Sequence, residues 1–496
     1  MTTKKDLYST ISWVLTGNTA NYVLNFITGI ILARLLAPEE FGTLLTIQVF
    51  TGLAGFFAGG GMVQALIREK NVTKKDYNIV FTLQFLAGTL IYLIFYFSSP
   101  WFSKWYNNDI YTDLLRLSAI SFVYRPLANL PNSMLQREMR FQLKMLLDFI
   151  ALLISSISSI ILAFKGFGVW SLIWGGIIGS ITNIFMLFII TRWLPRFNFD
   201  FKKGKHLAQY GMFKAMSDII LYLRNQVSIF ILSRTLGPAS VGLYNKGESL
   251  AMMPHTFFSG SVQPVLFRVL SVEQDNHDRC QYIFFRSIAL LAVYATPVYV
   301  GLEWLAKPIV SVLYGEKWVE SSTPLMILAY AWPFWMVSTL SSNVLAARNW
   351  LHRDLFVLVS SLIIMCLSII IALPHGLKGI ALAVVFSLIY TAFHQYFLAT
   401  SCIKAKKSRI FFAIAPAILL NSILVITLFA AETWIPNHIK NNDIYYILYM
   451  TLVGGFSYAI FFLFIPLKSL KTEQQRWKFK FINLFLRHTT KQSHQQ

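Results

Sequence analysis

The sequence is poor in charged residues and in cysteine. Only 13% of its 496 residues are charged, against about 25% in an ordinary soluble domain. Apolar runs long enough to cross a bilayer as helices, about 18 residues or more, recur along the whole chain and exclude a soluble core. The three cysteines, Cys280, Cys366 and Cys402, have neither the spacing of a metal site nor that of a disulfide framework. We therefore expect no metal and no cofactor.

Features of a membrane enzyme are also missing. The chain contains no Asp-x-Asp motif, and the segments between its apolar runs are too short for a catalytic domain outside the membrane. His255, His375 and His394 have no partners at a spacing typical of a metal site or a catalytic triad. A membrane polysaccharide polymerase or ligase is therefore the least favoured function, and we expect no enzyme.

The apolar runs predict an all-α polytopic membrane protein with about 14 transmembrane helices. The predicted spans are 11–33, 41–67, 79–98, 115–136, 143–164, 167–190, 207–233, 240–267, 281–302, 321–346, 352–373, 377–401, 409–431 and 442–465.

Lysine and arginine are distributed unevenly between the two sides of these spans. Most of the 43 cations lie in the alternate segments that include both termini. The opposite loops hold Arg34, Lys104, Lys165, Arg234, Lys307, Lys317, Lys378 and Lys440. The positive-inside rule then predicts that both termini are cytoplasmic. The net charge of +21 is thus an orientation signal that faces membrane lipid, and we expect no nucleic-acid partner.

One phrase occurs twice in the chain. Residues 30–44 read IILARLLAPEEFGTL and residues 230–244 read FILSRTLGPASVGLY. The following residues each recur 200 positions later: Tyr22, Asn25, Ile31, Leu32, Arg34, Leu36, Pro38, Gly42, Phe57, Gly60, Leu66 and Arg68. The arginines suit helix C-termini, the prolines suit the first turn of the next helix, and the glycines are expected to allow hairpin arms to approach closely.

The repeats begin an even number of spans apart, which predicts two parallel lobes. We predict a six-helix N-terminal lobe over residues 1–205 and a six-helix C-terminal lobe over 206–405, around a central cavity. An additional helix pair over 406–466 and a basic cytoplasmic tail over 467–496 complete the chain.

The repeated phrases, with SMLQREMRFQLKML at 133–146 and LYGEKW at 313–318, resemble those of bacterial polysaccharide and lipid-linked oligosaccharide flippases. These belong to the multidrug/oligosaccharidyl-lipid/polysaccharide exporter superfamily, and the resemblance is to its exopolysaccharide, colanic-acid-type branch. It implies a MATE-like fold that flips undecaprenyl-diphosphate-linked repeat units to the outer leaflet for exopolysaccharide, capsule or O-antigen assembly. It also implies partners such as a polysaccharide polymerase and a chain-length regulator.

Polar residues inside the spans are candidates for the substrate site, because charges there face a cavity or a partner. The fourth span has a polar stripe at helical spacing: Ser118, Ser121, Arg125, Asn129, Asn132 and Gln136. The seventh span has a second polar face with Arg224 at its margin: Lys214, Asp218, Tyr222 and Asn225. The matching face of the first span holds Asn18, Tyr22 and Asn25.

Each of these features has a structural alternative. The stripe on the fourth span can instead join helices through hydrogen bonds, and Lys214 and Asp218 can neutralise each other at i, i+4. Asp218 and Glu248 are candidates for coupling transport to an ion, although Glu248 lies near a helix end and is also explained as interfacial. Lys144 and Asp148 are expected to pair at the inner interface.

A lipid-linked oligosaccharide flippase is the favoured function. Arg125 and Arg224 are predicted to contact the diphosphate, since arginine donates charge-assisted hydrogen bonds to phosphate oxygens. A drug or metabolite exporter of the same superfamily is the alternative, but a site for cationic drugs would present acidic side chains.

Overall fold

A computed structural model describes residues 4–59, 61–69 and 71–480. It describes their side chains except those of 4–12, 14–15, 201–203, 206–217, 257–262, 264 and 468. All regular secondary structure within these ranges is helical, and they contain no β-strand. The all-α prediction is therefore confirmed.

The chain divides into two compact units, Met1–Asn245 and Lys246–Gln496. The helices that begin in the first unit are α1 (Lys4–Leu35), α2 (Pro38–Gly59), α3 (Met62–Arg68), α4 (Lys74–Tyr106), α5 (Ile110–Ala119), α6 (Ser121–Arg137), α7 (Phe141–Phe164), α8 (Val169–Thr191), α9 (Phe201–Thr235) and α10 (Gly237–Val272).

The second unit contains the rest of α10, followed by α11 (His277–Trp304), α12 (Ala306–Tyr314), α13 (Ser322–Ala329), α14 (Trp332–Ala347), α15 (Leu351–Ala372), α16 (Gly376–Cys402), α17 (Arg409–Trp434), α18 (Asn437–Lys440) and α19 (Asp443–Phe464). A further helix, called the tail helix below, covers residues 471–480.

Each of the 14 predicted spans coincides with one helix or with consecutive helices. By length and composition alone, eight segments of the described chain are apolar enough to cross a membrane. The number is nine if the helical segment Glu316–Ala329 and α14, bent by 47°, form one span. One of the eight, Leu351–Cys402, contains both α15 and α16, joined by a single 3-10 turn. The described helices that fail this test include α1, α9 and α10, which carry more polar residues.

The fourth predicted span is two helices rather than one, because the chain turns at Ile120 between α5 and α6. Two prolines, Pro126 and Pro131, lie inside α6 and interrupt its backbone hydrogen bonds. Pro126 leaves the carbonyl of Phe122 without its helical N–H donor. That carbonyl packs against Gly88 of α4, where a Cβ would collide with it. A close contact with α4 therefore covers the carbonyl that Pro126 leaves unpaired.

The seventh span, α9, belongs to the same compact unit as the first six. The Tyr222 hydroxyl donates to the backbone oxygens of Gln48 at 2.8 Å and Val49 at 3.1 Å, both on α2. Near the other end of α9, Ser233 hydrogen-bonds the Tyr106 hydroxyl at 3.1 Å. These contacts join α9 to α2 and α4. The lobe boundaries at residues 205, 405 and 466 stay predictions.

The two copies of the repeated phrase contact each other. A Cβ added to Gly42 would collide with the carbonyl of Pro238, and a Cβ added to Gly242 would collide with the carbonyl of Pro38. Each glycine thus meets the proline of the other copy, and the N-terminal turns of α2 and α10 touch reciprocally. Close approach was expected within each hairpin; in the structure it joins the two repeats.

Candidate substrate site

Arg125 lies between two cavities in the first unit. The first cavity, of about 430 Å³, lies beside α2 and is lined by Gly52, Gly55, Phe56, Gly59, Gln64, Gln84, Arg125 and Asn129, among others. The second, of about 380 Å³, is lined by Ser121, Tyr124, Arg125, Asn132, Ser155, Ser180 and Asn183, among others. Of the predicted polar stripe, Ser121, Arg125, Asn129 and Asn132 line these cavities, whereas Ser118 and Gln136 are not among their lining residues.

A glycine face on α2 creates the space beside Arg125. A Cβ at Gly55 would lie 2.6 Å from the Arg125 Nη1 atom, and a Cβ at Gly59 would lie 2.9 Å from the Gln84 Cδ atom. At Gly52 a Cβ would collide with the Tyr222 hydroxyl. Sequence reasoning missed this face, although the spacing of Gly52, Gly55 and Gly59 places them on one side of a helix.

The Arg125 guanidinium is accessible, and no hydrogen bond or ion pair from the described part of the chain reaches it. Its nearest ring contact is with Phe122, whose centroid lies 5.8 Å from Cζ. A cation near the centre of a membrane-spanning segment costs about 2.5–3.5 kcal/mol on insertion scales. The described linings of both cavities hold no acidic side chain, so they favour an anionic guest.

A polar network supports the wall of the second cavity. Lys144 and Asp148 form an ion pair at 2.5 Å, which confirms their predicted pairing. Asp148 also accepts a hydrogen bond from the Asn183 amide at 3.3 Å. Because Asn183 lines the cavity, this carboxylate helps to orient a polar group that a guest would meet.

The structure brings together only part of the predicted site. Asn129 and Asn132 line the cavities beside Arg125, and Tyr222 lies behind the wall formed by Gly52. Arg224 differs from Arg125, since it is only 3% exposed and does not appear among the lining residues of either cavity.

The remaining predicted residues lie elsewhere. Asn18 and Asn25 are exposed on α1, Asn225 is exposed on α9, and Asp218 is half-buried on α9. The Lys214 side chain lies outside the described part, so its pairing with Asp218 stays a prediction. Glu248 belongs to the second unit.

The second unit contains a larger, mainly apolar cavity of about 1000 Å³ between α11, α14, α16 and α17. Its wall includes Tyr299, Phe334, Phe393 and Ile418, with Lys407 among its few polar residues. The Lys407 Nζ atom lies 4.4 Å from the centroid of the Phe397 ring. Such a cavity suits a hydrocarbon chain.

Sequence reasoning also missed a buried acid, Asp354, in the first turn of α15. Its carboxylate accepts hydrogen bonds from Ser342 of α14 and Gln395 of α16, each at 2.6 Å. Its position in the first turn of an apolar span, directly after Arg353, was the available signal. Asp354 joins three helices.

The family-like phrase LYGEKW at 313–318 surrounds a buried lysine. The Lys246 Nζ atom lies 5.1 Å from the Tyr314 ring centroid and 5.7 Å from that of Trp318. Gly315, at φ +90°, allows the turn between the two rings. This phrase therefore holds α10 against the segment that follows α12.

The fold is similar to those of two solved membrane transporters. A solved structure of the lipid II flippase MurJ in an inward closed conformation covers 90% of this chain and 97% of its own, with a TM-score of 0.75 and 18% identity. An inward-facing multidrug resistance MATE family transporter of the MOP superfamily covers 77% of this chain and 94% of its own, with a TM-score of 0.62 and 14% identity.

The chain belongs to the polysaccharide biosynthesis protein family, whose model matches residues 31–323. It is 26% identical to the succinoglycan biosynthesis transport protein ExoT of Rhizobium meliloti, over 69% of this chain and 67% of the relative. It is 22% identical to the lipopolysaccharide biosynthesis protein WzxC of Escherichia coli, over 58% of this chain and 59% of the relative. The family resemblance inferred from the repeated phrases is thus confirmed.

Proposed function

We propose that this protein flips an undecaprenyl-diphosphate-linked oligosaccharide from the cytoplasmic to the outer leaflet of a bacterial cytoplasmic membrane. The names of its relatives support this function, since they include transport in succinoglycan biosynthesis and lipid II flipping. The product would be exopolysaccharide, capsule or O-antigen, and a polymerase and a chain-length regulator would act after it. Both termini are cytoplasmic in this proposal.

The observation that carries the proposal is Arg125 between its two polar cavities. A diphosphate supplies the negative charge that the described cavity walls lack, and each charge-assisted hydrogen bond to it contributes about 1.5–3 kcal/mol. Asn129 and Asn132 offer amide groups to the first sugars. The apolar cavity of the second unit suits part of the isoprenoid chain.

The alternative of a cationic-drug exporter is less well supported, because such a guest would meet Arg125 and no acidic partner in these linings. Coupling through Asp218 or Glu248 is a further part of the proposal. Arg224 is proposed to join Arg125 at the diphosphate in a conformation that exposes it.

Binding of undecaprenyl-diphosphate lipid to the purified protein tests the proposal. Arg125→Ala should weaken binding by at least about 2 kcal/mol, about 30-fold in Kd. Arg125→Lys should retain part of the affinity, since lysine keeps the charge but loses the planar fork. Arg224→Ala is measured in the same assay.

Arg116→Ala is the matched control, because it removes the same charge from the neighbouring helix α5. Arg116 is already engaged: its Nε donates to the Ser99 hydroxyl at 2.9 Å, and its guanidinium lies 4.4 Å from the Tyr96 ring centroid. Binding should survive in this variant. Unchanged affinity in folded Arg125→Ala, or an equal loss in Arg116→Ala, would contradict the assignment.

A further inference from the structure

The tail helix is attached to the end of α19 by one buried glutamine. The Gln474 amide nitrogen donates to the backbone oxygens of Phe462 at 2.5 Å and Ile465 at 2.7 Å. Its amide oxygen accepts from the Leu467 N–H at 3.3 Å. The last carbonyls of a helix lack partners within the helix, so Gln474 caps α19 and fixes where the tail helix begins.

Two residues of α11, Arg286 and Tyr294, hold the tail helix and the turn before it. Arg286 donates to the Ser469 carbonyl at 2.6 Å and forms an ion pair with Glu473 at 3.3 Å. The Trp477 indole donates to the Tyr294 hydroxyl at 2.8 Å. These contacts hold the tail helix beside α11, which is apolar enough to span a membrane.

The exposed side of the tail helix combines cations with aromatic rings. Its exposed cations are Lys471, Arg476, Lys478 and Lys480. Glu473 is the sole acid within residues 471–480, and it is already paired with Arg286. Two aromatic side chains are also accessible: Trp477 is 44% exposed and Phe479 is 68% exposed.

Two of these cations lie next to exposed aromatic rings. The Lys478 Nζ atom is 5.8 Å from the centroid of Phe464 at the end of α19, and the Lys480 Nζ atom is 5.3 Å from that of Trp477. Phe464 is 74% exposed at the end of a membrane span. Interleaved cations and exposed rings suit an interface with anionic lipid, where the rings enter the headgroup region and the cations meet phosphate.

We propose that the tail helix is a binding surface for anionic phospholipid headgroups. The partner is the lipid leaflet itself, and the complementary charges are the four exposed cations. This surface is separate from the Arg125 cavities and does not depend on which molecule is transported. The predicted orientation places it at the cytoplasmic leaflet.

The test titrates the full-length protein in detergent with phosphatidylglycerol or with phosphatidylcholine of the same chains, and counts bound lipid by native mass spectrometry. Each lysine near an anionic surface contributes about a fivefold change in affinity, or about 1 kcal/mol. The double variant Lys478→Gln, Lys480→Gln should therefore bind phosphatidylglycerol about 25-fold more weakly.

The matched control is Lys74→Gln, Lys75→Gln, which removes two exposed lysines from another segment predicted to be cytoplasmic. It should change the affinity by less than the tail-helix variant, and all variants should show the same thermal unfolding. Equal losses in the two variants, or wild-type affinity in the tail-helix variant, would overturn the proposal. Equal binding of both lipids by the wild type would also overturn it.

Discussion

Gly42→Ala should destabilise the first unit, because the added methyl group has no space between the two repeated phrases. Its Cβ would lie well under 3.0 Å from the Pro238 carbonyl oxygen and at 3.0 Å from the Gly242 nitrogen. A backbone carbonyl cannot rotate away as a side chain can, so the N-terminal turns of α2 and α10 must separate. Over-packing of this kind costs about 1–3 kcal/mol.

Helix propensity opposes this destabilisation, since alanine stabilises a helix by about 1 kcal/mol relative to glycine. Gly455→Ala in α19 measures this term alone, because a Cβ there has nothing within 4 Å. The difference in the free energy of unfolding between the two variants then gives the cost of the collision. For a unit of this size, about 2–4 °C in Tm corresponds to 1 kcal/mol, so the predicted gap is about 2–12 °C.

The assay is tryptophan-monitored thermal unfolding of the purified protein in detergent. Gly242→Ala should behave like Gly42→Ala, because its Cβ meets the Pro38 carbonyl reciprocally. One separation of the two helices relieves both collisions, so the double variant should lose less than the sum of the single losses. Equal Tm values for Gly42→Ala and Gly455→Ala would refute the reasoning.

Two further predictions concern coupling and topology. Asp218→Asn should lower transport at normal expression if the carboxylate carries a proton or organises an ion site; full transport by this variant would leave Asp218 a structural residue. In a cysteine-free background, an impermeant thiol reagent applied to intact cells should label a cysteine at position 440 and none at positions 72, 200 or 405. Labelling at any of the last three would contradict cytoplasmic termini, whereas labelling only after permeabilisation supports them.

Much of the architecture could be predicted from local patterns. Each predicted span coincides with described helices, and eight segments of the described chain are also long and apolar enough to cross a membrane whatever their neighbours. Helical periodicity placed Arg125, Asn129 and Asn132 on one face, and an i, i+4 spacing predicted the pair of Lys144 and Asp148. These features depend on residues within a few turns of one another, which a single sequence specifies directly.

The tertiary structure decided which face meets which helix. Helical periodicity predicted the same role for Arg125 and Arg224. In the structure Arg125 lines two cavities, whereas Arg224 is only 3% exposed. The repeat was visible in the sequence, but the contact between Gly42 and Gly242 was not, because it joins residues 200 positions apart. Such contacts depend on how ridges and small residues of distant helices fit together, and no local pattern encodes that fit.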